Sequence, residues 1–104
     1  DDTIHAGRYG GEEFLILFSG YTRKQAGKIL EGMLTNFRNQ EYDFLPEDVI
    51  ITFSAGFTYL DNKNIDVEGF IKCADEALYY SKEHGRNQIT YYNDLRLRDM
   101  QVNR

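Results

Sequence analysis

The stretch Arg8-Tyr9-Gly10-Gly11-Glu12-Glu13-Phe14 constrains this chain more than any other. Two adjacent glycines followed by two carboxylates and then an unbroken apolar run read as a tight turn between strands. A Gly10-Gly11 loop suits the primed turns, which need positive φ and match the twist of a hairpin. That loop sets Tyr9 opposite Glu12 and Arg8 opposite Glu13. Glycine at the tip also leaves room for a ligand's phosphates to approach the backbone. Glu12 and Glu13 at the mouth of the turn supply hard oxygen donors of the kind Mg²⁺ prefers.

The elements around the turn follow from periodicity. Thr3–Tyr9 reads as a strand. Phe14–Phe18 is short and wholly apolar, which predicts a strand buried on both faces and central to its sheet. Thr22 and Gln25 have capping-box spacing. Ala26, Ile29, Leu30, Met33, Leu34 and Phe37 then recur along one helical face to about Arg38. The opposite face, with Arg23, Lys24, Lys28, Glu31 and Asn36, reads as solvated surface.

A polar loop with the only proline, Pro46, leads to Val49–Leu60. Alternation there predicts one long strand, in which Gly56 marks a bulge or a close approach by another backbone. Asp66 is placed to cap a second helix, with Ile65 and Phe70 as a hydrophobic staple. Phe70, Ile71, Ala74, Ala77, Leu78 and Ser81 form its buried stripe, and Gly85 ends it. A short strand, Gln88–Tyr92, follows. The order predicts an α+β fold, a ferredoxin-like sandwich with a largely antiparallel sheet and helices. Residues 1–94 form the domain part and 95–104 a tail or short helix.

Composition narrows the function classes. With 41% hydrophobic and 14% aromatic residues, 104 residues suffice for one modest core. A net charge of −5 argues against a nucleic-acid-coating surface. One cysteine, Cys73, excludes an internal disulfide and suits a reducing, cytoplasmic setting. No run is long enough for a membrane-spanning helix. His5 and His84 lack metal-ligand spacing, and Asp75 and Glu76 read as solvating charges. Tyr79, Tyr80, Tyr91 and Tyr92 read as packing residues.

Residues 8–14 resemble the signature hairpin of the GGDEF family, in its variant with Glu at the third position. Ala74-Asp75-Glu76-Ala77-Leu78-Tyr79, then Lys82, then Gly85-Arg86-Asn87, resembles the family's closing helix. The elements between the two matches fall in the family's order. The resemblance implies a diguanylate cyclase, which condenses two GTP molecules to cyclic di-GMP and releases pyrophosphate. It implies Mg²⁺ or Mn²⁺, with Glu12 as metal ligand and proton acceptor and Glu13 assisting the metal. Gly10 and Gly11 would admit the GTP, and Lys82 and Arg86 would contact its phosphates. Neighbouring strand residues point to opposite faces, so Glu12 ranks ahead of Glu13 as the essential acid. Taken alone, Glu13 reads as a cross-strand partner of Arg8, and Lys82 and Arg86 as cations at a helix C-terminus.

The resemblance covers roughly Thr3–Asn93, the later part of the family's domain. It lacks the first strand and first two helices, with a further metal aspartate and the guanine-reading residues. The 104 residues alone are therefore expected to be inactive and prone to association. The intact protein is expected to work as a homodimer behind a sensory or receiver domain, in the cytoplasm or attached to a membrane. The family's inhibitory Arg-x-x-Asp would fall on Asp1 and Ile4, which do not match, so no primary inhibitory site is expected. The alternative function is a regulatory domain that binds GTP or dimerises without turnover.

Overall fold

The computed structural model describes residues 2–60 and 66–95. Its elements are β1 (Thr3–Gly10), β2 (Glu13–Ser19), α1 (Arg23–Asn39), β3 (Ala55–Phe57), α2 (Val67–Glu83) and β4 (Ile89–Tyr91). The expected α+β class is what the chain adopts. Two compact units divide at Leu30, within α1.

The first unit is the β1–β2 hairpin and the opening turns of α1. The strands pair antiparallel from Thr3↔Ser19 to Arg8↔Phe14, then slip so that Gly10 faces Glu13. Thr22 and Gln25 form the expected capping box: the Thr22 amide donates to Gln25 Oε1 (2.9 Å), and the Gln25 amide donates to Thr22 Oγ1 (3.1 Å). The apolar stripe of α1 falls as the spacing predicts through Ala26, Leu30 and Leu34, which are buried, while Phe37 at its end is exposed. Burial of β2 does not follow its composition. Phe14 is 71% exposed and Leu17 49%, and among the described residues β2 has a single partner strand, β1, in place of the expected central position.

The second unit is built on a β–α–β crossover. β3 and β4 run parallel, Ala55↔Ile89 to Phe57↔Tyr91, joined through α2. A parallel pair needs such a connection, since a tight hairpin cannot join it. Asp66 caps α2, its carboxylate accepting from the Gly69 amide at 2.8 Å. Ala77 and Ser81, on the expected stripe, are fully buried. Ser81 Oγ donates to the Ala55 carbonyl (2.8 Å) and lies 2.6 Å from Thr90 Oγ1, so the buried hydroxyls tie α2 to both strands. The strand expected over Val49–Leu60 is only Ala55–Phe57. Its partner β4 is three residues long, and a ladder extends no further than its partner. Ile65, the expected staple residue, and most of the tail lie outside the described residues.

Candidate functional site

Gly11 and Glu12 form the hairpin turn, displaced by one residue from the expected Gly10-Gly11 loop. Gly11 has φ +47°, whereas neither Gly10 nor Glu12 has positive φ. Positive φ at the first central position alone is the pattern of a type II′ turn, which favours glycine there. Tyr9 is the extra residue of a bulge, so Arg8 faces Phe14 and not Glu13. The Arg8 guanidinium instead closes the turn, its Nε donating to the Gly11 carbonyl at 2.8 Å.

This register alters the reading of the two acids. Glu13 is the first residue of β2, opposite Gly10, and is half-buried; Glu12 sits in the turn and is exposed. Strand alternation therefore does not relate them, and what sets Glu12 apart is its exposed place at the tip. A β-carbon on Gly10 or Gly11 would meet nothing within 4 Å, so open space surrounds the turn backbone. The donor set fits a small hard cation only in part. No group of three or more His, Cys, Asp or Glu side chains lies together among the described residues. Two carboxylates suit Mg²⁺ when phosphate and water complete the shell, as at nucleotide sites.

Lys82 and Arg86 belong to the second unit. Lys82 lies in the last turn of α2. Beyond the C-cap His84, Gly85 has φ +109°, Arg86 +60° and Asn87 +53°. Two consecutive non-glycine residues in the left-handed region cost roughly 1–2 kcal/mol each, and such a turn persists only when its surroundings over-determine it. Four sets of bonds do so here. The Arg86 amide donates to the Ser81 carbonyl (2.9 Å), the long bond of a Schellman motif. Gln88 Nε2 donates to the carbonyls of His84 (2.7 Å) and Arg86 (3.1 Å). The Asn87 amide donates to Ser54 Oγ (3.1 Å). Arg38 grips Asn87 from α1, Nε donating to Oδ1 (2.7 Å) and Nη2 to the carbonyl (2.9 Å). The Arg86 side chain is left at the surface.

The structure thus gathers Gly10, Gly11, Glu12 and Glu13 at one turn, and Lys82 and Arg86 at one helix end. Arg38 and Gln88 were not legible as parts of the second group. Their role depends on contacts across 49 residues and on a local turn, and neither leaves a periodic signal.

Other groups behave as expected of structural residues. His84 stacks on Tyr80, with centroids 3.6 Å apart. Asp75 and Glu76 are exposed on α2. Tyr91 packs on Phe57 and donates to Glu31 Oε1 at 2.7 Å. Burial first, and then the bond to Glu31, raise the Tyr91 pKa well above its ordinary value. Tyr79 departs from expectation, being 65% exposed. A cavity of about 220 Å³ opens beside Tyr79, Tyr80 and His84, with neither Lys82 nor Arg86 in its lining.

Residues 2–88 match the family described as diguanylate cyclase, GGDEF domain. The chain belongs to the GGDEF family. Diguanylate cyclase A of Treponema denticola is 31% identical over 88 residues, covering 82% of this chain and 23% of that protein. A diguanylate cyclase of Vibrio cholerae is 31% identical over 91 residues, 88% of this chain and 28% of that one. The chain therefore spans about a quarter of the length of these relatives. Among solved structures it is similar to the GGDEF domain of DgcB from Caulobacter crescentus in complex with c-di-GMP. The TM-score is 0.76 and the identity 29%, over 86% of this chain and 54% of that one. No helix among the described residues of this GGDEF chain is long and apolar enough to cross a membrane.

Proposed function

We propose that the intact protein is a diguanylate cyclase that condenses two GTP molecules into cyclic di-GMP. The observation that carries this reading is the exposed Glu12 at the tip of a Gly11-dependent turn, in a chain that matches the GGDEF family. The diguanylate cyclases among its relatives and the c-di-GMP complex of its structural neighbour support the same substrate and product.

Each step has a residue suited to it. Gly10 and Gly11 leave the turn backbone open to phosphate, and Lys82 and Arg86 offer positive charge to phosphate at the end of α2. Glu12 and Glu13 would hold Mg²⁺ or Mn²⁺, which when bound polarises phosphate and lowers the pKa of a nearby hydroxyl. Glu12 accepts the proton as a 3′-hydroxyl oxygen bonds to the α-phosphorus of the other GTP. The bond from that phosphorus to the bridging oxygen breaks, and pyrophosphate leaves with the electron pair. Two GTP molecules reacting with each other require two domains face to face, so the active form is a homodimer. An upstream sensory or receiver segment controls that pairing, and the protein acts in the cytoplasm, free or attached to a membrane.

The test is the full-length protein with GTP and Mg²⁺, set against Glu12→Ala. Cyclic di-GMP from the parent and not from the variant supports the reading. GTP binding by the parent without product makes it a regulatory domain, and neither binding nor product removes both.

A further inference from the structure

We infer that Arg38 is a positioning residue for GTP binding, acting through the left-handed turn that carries Arg86. The inference rests on the phosphate role proposed for Arg86. Arg38 lies in the last turn of α1, 49 positions from Asn87, and its Nε and Nη2 donate to two atoms of that one residue. A guanidinium provides two parallel donors in a fixed plane, so it sets both the side chain and the carbonyl of its partner. Asn87 has φ +53° and follows Arg86 at +60°, a pair of conformations that an unheld chain leaves. The remaining bonds engage other atoms of the turn: Gln88 reaches the Arg86 carbonyl, and Ser54 accepts from the Asn87 amide. Arg38 alone fixes Asn87 Oδ1 and the Asn87 carbonyl among the described bonds.

A turn free to relax carries the Arg86 guanidinium through many orientations, and binding then loses the entropy of ordering it. A charge at the end of α1 would not by itself hold the turn. Lysine at position 38 keeps the charge but has no planar fork, which separates geometry from electrostatics.

The experiment uses the full-length protein and 3′-deoxy-GTP with Mg²⁺, a ligand that lacks the attacking hydroxyl and binds without turnover. Calorimetry gives Kd for the parent, Arg38→Ala, Arg38→Lys, Arg86→Ala and the double variant Arg38→Ala/Arg86→Ala, with far-UV circular dichroism recording the fold of each. Arg86→Ala is expected to weaken binding about tenfold, as loss of one charge-assisted contact does. Arg38→Ala and Arg38→Lys should each weaken it by about three- to tenfold. The double variant should bind as Arg86→Ala does, because coupled residues are not additive. Additive losses, full binding by Arg38→Lys, or full binding by Arg38→Ala would each overturn the positioning role while leaving Arg86 in place. Full binding by Arg86→Ala would overturn the phosphate role itself, and the positioning role with it.

Discussion

Gly56 of β3 lies directly against Ala74 of α2: a β-carbon on the glycine would fall on the Ala74 carbonyl oxygen and on the Leu78 amide. It would also come within 2.9 Å of the Ala77 carbonyl carbon. Strand and helix therefore pack at backbone distance, and no flexible side chain stands ready to yield. Gly56→Ala should destabilise the domain by about 3 kcal/mol, the upper range for overpacking. Gly32, in α1 with nothing within 4 Å of its β-position, is the control. Gly32→Ala should stabilise by about 1 kcal/mol through helix propensity. Thermal melts of the two variants should move in opposite directions.

Ser81 and Thr90 share a buried hydrogen bond of 2.6 Å. Ser81→Ala leaves the Thr90 hydroxyl and the Ala55 carbonyl each short of a partner. The expected cost is about 1–3 kcal/mol. Adding Thr90→Val should cost less than the sum of the two single changes, because the second substitution removes the orphaned hydroxyl. Urea denaturation of the four proteins in this cycle measures the coupling.

The Tyr91 hydroxyl is held by burial and by Glu31, so its folded pKa lies above the ordinary value of 10.0. The folded state then keeps a proton that the unfolded chain releases. Its contribution to stability is complete below pH 10 and is lost as pH rises above it. Tyr91→Phe should show a shallower loss of stability above pH 10 than the parent. Ultraviolet titration should show that the same variant lacks the most alkaline phenolate transition.

The hairpin exposes Ile4 (46%), Phe14 (71%) and Leu17 (49%), and among the described residues its outer strand edges have no further partner. Two-stranded hairpins are marginal alone, and such edges recruit further strands. The isolated 104 residues should self-associate at micromolar concentration, and Leu17→Lys should reduce this, as read by sedimentation velocity.

Much of this was legible in the residues because short-range chemistry decides it. The Thr22–Gln25 box, the Asp66 cap, the Gly85 stop and both helical stripes depend on neighbours within a few positions. Gly56 read as a bulge or a close backbone approach, and its packing against α2 decides for the second. The hairpin register was not legible, because Gly10 and Gly11 offer two placements of one turn, and the Tyr9 bulge decides between them. The strand over Val49–Leu60 was overextended because alternation reports a pleated surface and not a partner's length. Arg38 read only as the approximate end of the first helix, since its partner Asn87 lies 49 residues on.

We propose that the turn acid Glu12 carries the chemistry, ahead of Glu13. The direct measurement is the initial rate of cyclic di-GMP formation by the full-length protein, its Glu12→Gln variant and its Glu13→Gln variant. Glutamine keeps the size of the side chain and removes its charge and basicity. Glu12→Gln should lose about 10²–10⁴-fold in rate, the range for removing a proton acceptor, and Glu13→Gln should lose less. A Glu12→Gln rate within a few-fold of the parent, or a larger loss at Glu13, would contradict the proposal.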